Sequence, residues 1–147
     1  MYEMKPPPLT VHGINARAVF FQVRQPTEKL TRLTATCADH FEKKEPIIIF
    51  VEDEKGAQYV DELLWKFPST AFLPHTVEGE DFITITSVKK KFGDPKIAFN
   101  LCSTPLLLEG FKIVYDFEDL TSPSKKQLAA LRFDAYKQAG YLIEARN

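Results

Sequence analysis

Cysteine, histidine and glycine are scarce in this chain, with 2, 3 and 6 copies among 147 residues. Cys37 and Cys102 stand far apart, without a CxxC or Cys/His ligand spacing, which excludes a disulfide framework and a zinc motif and fits a reducing compartment. His12, His40 and His75 form no HExxH pattern, so a histidine metal site has no support. The glycines never assemble into a phosphate-cradling G-x-G-x-x-G turn, and no GxSxG elbow presents a nucleophile. Long hydrophobic runs are also missing. The longest, Ile47 to Val51, is far too short to cross a bilayer, and no basic-then-apolar leader opens the chain, so a soluble cytoplasmic protein is expected. Charge of one sign is lacking as well. A net charge of -1 removes bulk attraction to nucleic acid, and any anion site must come from local arrangement.

What is present is a hydrophobic fraction of 44% with 27% charged residues, enough for one compact core at this length. Residues 1–10, with three consecutive prolines, read as a flexible extended tail, and 11–147 as a single domain. Ala18 to Val23 reads as a strand. From Thr27 to Lys44 the apolar positions Leu30, Leu33, Cys37 and Phe41 recur at helical spacing, which makes Cys37 a core thiol. Pro46 ends that helix, and Ile47 to Val51 has the continuous apolar character of a strand covered on both faces. A second helix follows, with Ala57, Val60, Leu63, Leu64 and Phe67 within roughly 120° of arc and Trp65 pointing roughly 140° away from that stripe.

Phe82 to Val88, Lys96 to Cys102 and Phe111 to Phe117 alternate like strands. Without helices between them they read as antiparallel additions, joined at Lys89 to Pro95 by a basic hairpin. The last helix begins at Ser122 and Pro123, an N-cap and first-turn pair, and runs to about Gly140. Leu128, Leu131, Ala135 and Ala139 would face the sheet, and Lys126, Phe133 and Lys137 would face outward within roughly 40° of one another. The fold class implied is α/β: a three-layer sandwich with a mixed, mostly parallel sheet and helices on both faces, resembling a nucleotide-binding topology.

The turn after Val51 nevertheless places Glu52, Asp53 and Glu54 where a phosphate would have to sit, and these carboxylates repel one. Asp53 as a helix cap and Glu54 as complement to the helix dipole explain them structurally. The alternative is a magnesium-dependent nuclease or phosphotransferase using Glu52 and Asp53, completed by Asp39, Asp81 or Asp116. A third reading is direct nucleic-acid binding through Lys89 to Lys91. His40 is expected to be solvated and His75 to hold its loop. Two outward surfaces remain: Trp65 with Phe67, Pro68 and Phe72, an apolar patch suited to a protein partner, and Lys126, Phe133 and Lys137, suited to a short acidic segment ending in an apolar side chain.

The segment EDEKGAQYVDELLW (Glu52 to Trp65), followed by Phe72, Pro74 and His75, resembles the chi subunit family of bacterial DNA polymerase III. KQLAALRFDAYKQAGY (Lys126 to Tyr141) resembles that family's last helix. The resemblance implies a non-catalytic accessory protein without cofactor or metal. It further implies that Trp65 and Phe72 meet the psi subunit of the clamp loader. A helicase is the alternative partner for the same face. It assigns the acidic tail of single-stranded-DNA-binding protein to Lys126, Phe133 and Lys137. Two positions basic in the family pattern are Ala130 and Asp134 here, and Lys125 or Arg132 would substitute for them.

Overall fold

The computed structural model describes residues 16–66, 75–77, 82–91 and 93–147, with the backbone alone for 75–77. The expected tail 1–10, His12, Phe67, Pro68, Phe72, Pro74, Asp81 and the His75 side chain lie outside the described residues. Ten elements follow in order: β1 (Arg17–Val23), α1 (Pro26–Glu42), β2 (Ile47–Phe50), α2 (Glu54–Lys66), β3 (His75–Val77), β4 (Ile83–Thr86), β5 (Ile97–Asn100), β6 (Ile113–Asp119), α3 (Pro123–Gln138) and β7 (Leu142–Arg146). The strands form one sheet in the order β3-β4-β2-β5-β6-β1-β7, and every pairing among the described residues is parallel.

Strand alternation divides the core into two. Val19, Phe21 and Val23 of β1 and Ile47 and Ile49 of β2 meet Leu33 and Cys37 of α1 and Ala57, Val60 and Leu64 of α2. Ala18, Phe20, Ile48 and Phe50 point the other way, onto Tyr136 of α3, Ala139 beyond it, and Cys102, Leu106 and Phe111 of the segment 101–112. β2 lies mid-sheet between these layers, which is why its run is apolar at successive positions. Burial raises the Cys37 thiol to about 12, as suits an inert core residue.

Helix ends follow local chemistry. Glu28 accepts the backbone N–H groups of Arg24 and Gln25 at the start of α1, which Pro26 opens, and Ser122 Oγ accepts from the Lys125 N–H at 3.2 Å at the start of α3.

Four expectations are corrected. β4, β5 and β6 are not antiparallel additions: 101–112 is long enough to return the chain for a parallel pairing without a helix, and the 87–96 connection crosses β2 instead of forming a hairpin. His40 is buried, because its ring nitrogens meet Tyr115 Oη at 2.6 Å and Glu45 Oε1 at 2.8 Å. In α3 the buried positions are Ala129, Arg132 and Tyr136, whereas Leu128 and Leu131 are 40% and 59% exposed. Phe133, expected fully outward, is half-buried, its ring 5.5 Å from that of Phe20.

Candidate functional sites: two outward faces and a cleft

Trp65 stands on the last turn of α2 and is 58% exposed, as its position opposite the helix's buried stripe requires. α2 packs on one face of the sheet and α3 on the other. On α3, Lys126 and Lys137 are exposed on either side of the half-buried Phe133, with Ala130 and Asp134 also exposed between them. The structure thus brings Lys126, Phe133 and Lys137 onto one face. Lys125 lies apart from them, exposed at the helix start, and Arg132 is turned inward.

Arg132 belongs to a buried polar network absent from the sequence reading. Its Nε donates to Asp116 Oδ1 at 3.0 Å, Nη1 to the Ser103 carbonyl at 3.2 Å and Nη2 to the Phe117 carbonyl at 2.9 Å. Asp116 Oδ2 accepts from Tyr136 Oη at 2.8 Å and Asn100 Nδ2 at 3.1 Å, and Tyr136 Oη accepts from the Leu106 N–H. Full burial pushes the Asp116 carboxyl upward, with Arg132, Asn100 and Tyr136 pulling against it. The network ties β5, β6, α3 and the segment 101–106 together. Its sequence signal is a polar residue at the end of one strand and another within the next, Asn100 closing IAFN and Asp116 amid IVYDFED.

Because the strands are parallel, their C-terminal ends share one edge. There the chain leaves β2 toward α2 on one face and leaves the adjacent β5 along 101–112 on the other, the crevice where open α/β sheets bind ligands. A cleft of about 550 Å³ occupies it, reached by α1, α2 and α3. At the start of α2 the polar groups are already bonded within the chain. Glu52 Oε1 accepts from the Ser103 N–H and from Ser103 Oγ, each at 2.9 Å, and Lys89 Nζ lies 3.8 Å from Oε2. Asp53 caps α2 by accepting the Gly56 N–H at 2.8 Å. An internal carboxylate therefore occupies the Ser103 donors beside the start of α2.

Neither enzyme-like alternative gains support. Asp116 is committed to Arg132 and Asp39 to Lys43. Among the described residues no three His, Cys, Asp or Glu side chains gather as a metal set. For the nucleic-acid reading, Lys89 lies beside Glu52, and Lys91 Nζ donates to the Gly93 carbonyl at 2.6 Å.

The Ser103 backbone N–H, then its hydroxyl, holds the Glu52 carboxyl below its ordinary value of 4.5. A lowered carboxyl contributes stability that is present above its unfolded value and lost as pH falls through the folded one. Ser103→Ala keeps the amide donor and removes the hydroxyl, so the Glu52 midpoint is expected to move up part of the way toward 4.5. A carboxyl-carbon NMR titration reads the shift, and an unmoved midpoint would show that the hydroxyl does not hold the carboxylate.

Compared with known proteins, residues 16–144 match the family model described as DNA polymerase III chi subunit, HolC. A curated relative, DNA polymerase III subunit chi of Escherichia coli (strain K12), is 31% identical over 111 residues, covering 71% of this chain and 75% of that protein. No helix among the described residues is long and apolar enough to cross a membrane.

Proposed function

Because the chain belongs to the DNA polymerase III chi subunit family, we propose that it is a non-catalytic accessory subunit of a bacterial replicative polymerase. It bridges the psi subunit of the clamp loader, or an equivalent protein, to the acidic C-terminal tail of single-stranded-DNA-binding protein. It works in the cytoplasm and meets nucleic acid mainly through these partners. The observation that carries this reading is the separation of the two surfaces. Trp65 projects from α2 on one face of the sheet, and Lys126, Phe133 and Lys137 lie on α3 on the other. Two partners can therefore be held at once without competing for space.

The chemistry of each surface suits its partner. A large exposed aromatic at the end of a helix is the kind of anchor that dominates protein interfaces. Phe133, braced by Phe20 on its inner side, offers its outer side to an apolar side chain, and the two exposed lysines can meet flanking carboxylates. Asp134 lies beside them and opposes an acidic ligand. Arg132, bonded inward to Asp116, Ser103 and Phe117, is left out of this surface, and Lys125 sits on another side of the helix.

Titrating the labelled protein with a peptide copying the acidic tail is expected to shift the resonances of Lys126, Phe133 and Lys137. Asp134→Lys should tighten binding by about threefold to tenfold, since close charge pairs are worth about 1 kcal/mol at a partly exposed site. No shift at millimolar peptide would reject the tail site.

A further inference from the structure

The sheet edge at which the parallel strands begin lies opposite the cleft and takes no part in the bridging reading. Four neighbouring strands, β2, β5, β6 and β1, each enter it behind or at a cation. Arg17 opens β1, Lys112 and Lys96 immediately precede β6 and β5, and Lys44 stands just ahead of β2. Backbone bonds fix three of them side by side: the Arg17 N–H donates to the Lys112 carbonyl at 2.9 Å, and the Lys112 N–H to the Lys96 carbonyl at 2.7 Å. Ile47 pairs with Ile97, which sets Pro46 beside Lys96 and Lys44 just beyond. At about 4.8 Å per strand, the row is roughly 14 Å long.

The chain bears a local cost at two points of this row. Like charges abreast on neighbouring strands repel, and Lys96 and Lys112 stand that way without compensation. Among the described residues Lys44, Lys96 and Lys112 are exposed and make no side-chain hydrogen bond or ion pair, even with Asp94 and Glu109 of the adjoining loops. Only Arg17 has a carboxylate, Glu144 at 3.4 Å. The second cost is at Lys44. Helices α1 and α3 end with the same pair of bonds, Lys44 N–H to Phe41 and Glu45 N–H to His40 in one, Gly140 N–H to Lys137 and Tyr141 N–H to Tyr136 in the other. That motif holds the residue after the cap in the left-handed region, which favours glycine. α3 supplies Gly140 there, whereas α1 supplies Lys44 at a φ of 59°, the one non-glycine residue with positive φ among the described residues. A strained backbone position that keeps its side chain is a mark of functional sites.

A row of unpaired cations across neighbouring strands suits an anion whose charges repeat along a line. The row is built from strand starts, not from a helix or ribbon that could enter a duplex groove. Of the large exposed apolar side chains, Leu142 alone is a register neighbour of the row, beside Arg17, and a single leucine is little to bury in lipid. We propose that this edge, through Lys44, Lys96, Lys112 and Arg17, binds the phosphate backbone of single-stranded nucleic acid. The choice of a single strand rests on the replicase reading, in which such a strand is the polyanion at hand.

The test follows a fluorescent oligothymidine of about fifteen nucleotides, mixed with the full chain, by anisotropy as salt is raised. The logarithm of affinity is expected to fall against the logarithm of salt with a slope of about −2, because each of three free lysines releases about 0.7 of a counterion from a single strand. At about 0.1 M salt Lys96→Glu and Lys112→Glu should each weaken binding by about fivefold to tenfold. Lys55→Glu makes the same change in net charge at the exposed start of α2, on the opposite edge, and should weaken it by less than about twofold, because charges beyond a screening length of about 10 Å are damped. Lys44→Gly should also bind more weakly while melting no lower than the wild type, since glycine relieves the left-handed position. Absence of binding at millimolar protein, equal losses for Lys55→Glu and Lys112→Glu, unchanged binding by Lys44→Gly, tighter binding of a duplex of the same length, or binding to phosphatidylglycerol vesicles in preference to the oligonucleotide would each overturn the proposal. The two readings fail separately. A tail peptide that shifts Lys126, Phe133 and Lys137 while the oligonucleotide stays unbound removes the edge site alone, and an oligonucleotide held by Lys96 and Lys112 without any tail binding removes the bridge alone.

Discussion

Arg132→Ala is expected to destabilise the protein by about 3–5 kcal/mol, the cost of leaving a buried carboxylate without its cation. Asp116 is 1% exposed and, among the described residues, takes its ion pair from Arg132. The same substitution strips donors from the carbonyls of Ser103 and Phe117, which ties its effect to the 101–106 segment as well as to α3. Arg132→Lys should recover little, since one ammonium cannot supply the three separate directions in which Nε, Nη1 and Nη2 point. Urea unfolding followed by circular dichroism measures the loss. A cost under about 1 kcal/mol, in the range of exposed pairs, would mean that water reaches Asp116 and that the network does not hold the layers together. A double-mutant cycle with Asp116→Asn should return a coupling of at least about 1 kcal/mol, because the two groups touch.

Trp65→Ala is expected to act in the opposite manner, with little change in stability and a large loss of binding. An exposed side chain on the last turn of a helix contributes under about 1 kcal/mol to folding. An aromatic anchor at an interface is worth about 2 kcal/mol or more, which weakens a complex by roughly thirtyfold. A pull-down from the organism's own extract, wild type beside Trp65→Ala, together with a melting curve for each, separates the outcomes. A variant that unfolds early, with a deficit of several kcal/mol as in core aromatic deletions, would place Trp65 in the core. A stable variant that still captures the same clamp-loader protein would remove Trp65 from the interface. Loss of a helicase together with the clamp-loader protein would show one face serving both.

The two variants probe opposite ways of reading an amphipathic helix. In α2 the stripe Ala57, Val60, Leu64 was legible because its packing is apolar throughout, and the residue outside that stripe is indeed exposed. In α3 the same reasoning selects Leu128 and Leu131, and both lie open while Arg132 and Tyr136 go inside. Hydrophobicity ranks single residues, but burying a guanidinium is favourable only where a carboxylate and carbonyls await it, and those sit on β6 and after β5. His40 escaped for the same reason, since Tyr115 lies 75 positions away.

By itself the sequence determined the local and the apolar: the strand run at Ile47 to Val51, the helix stripe of α2, the caps at Asp53 and Ser122, the acidic turn that excludes a phosphate, and the outward tryptophan. These depend on neighbours within a turn or on transfer of apolar surface from water, and both are properties of a short stretch. Only the tertiary structure decided strand direction, because alternation is the same for parallel and antiparallel pairing. It alone decided the inward face of α3 and the cleft at the sheet's edge, because polar burial and concave shape arise from groups far apart in the chain.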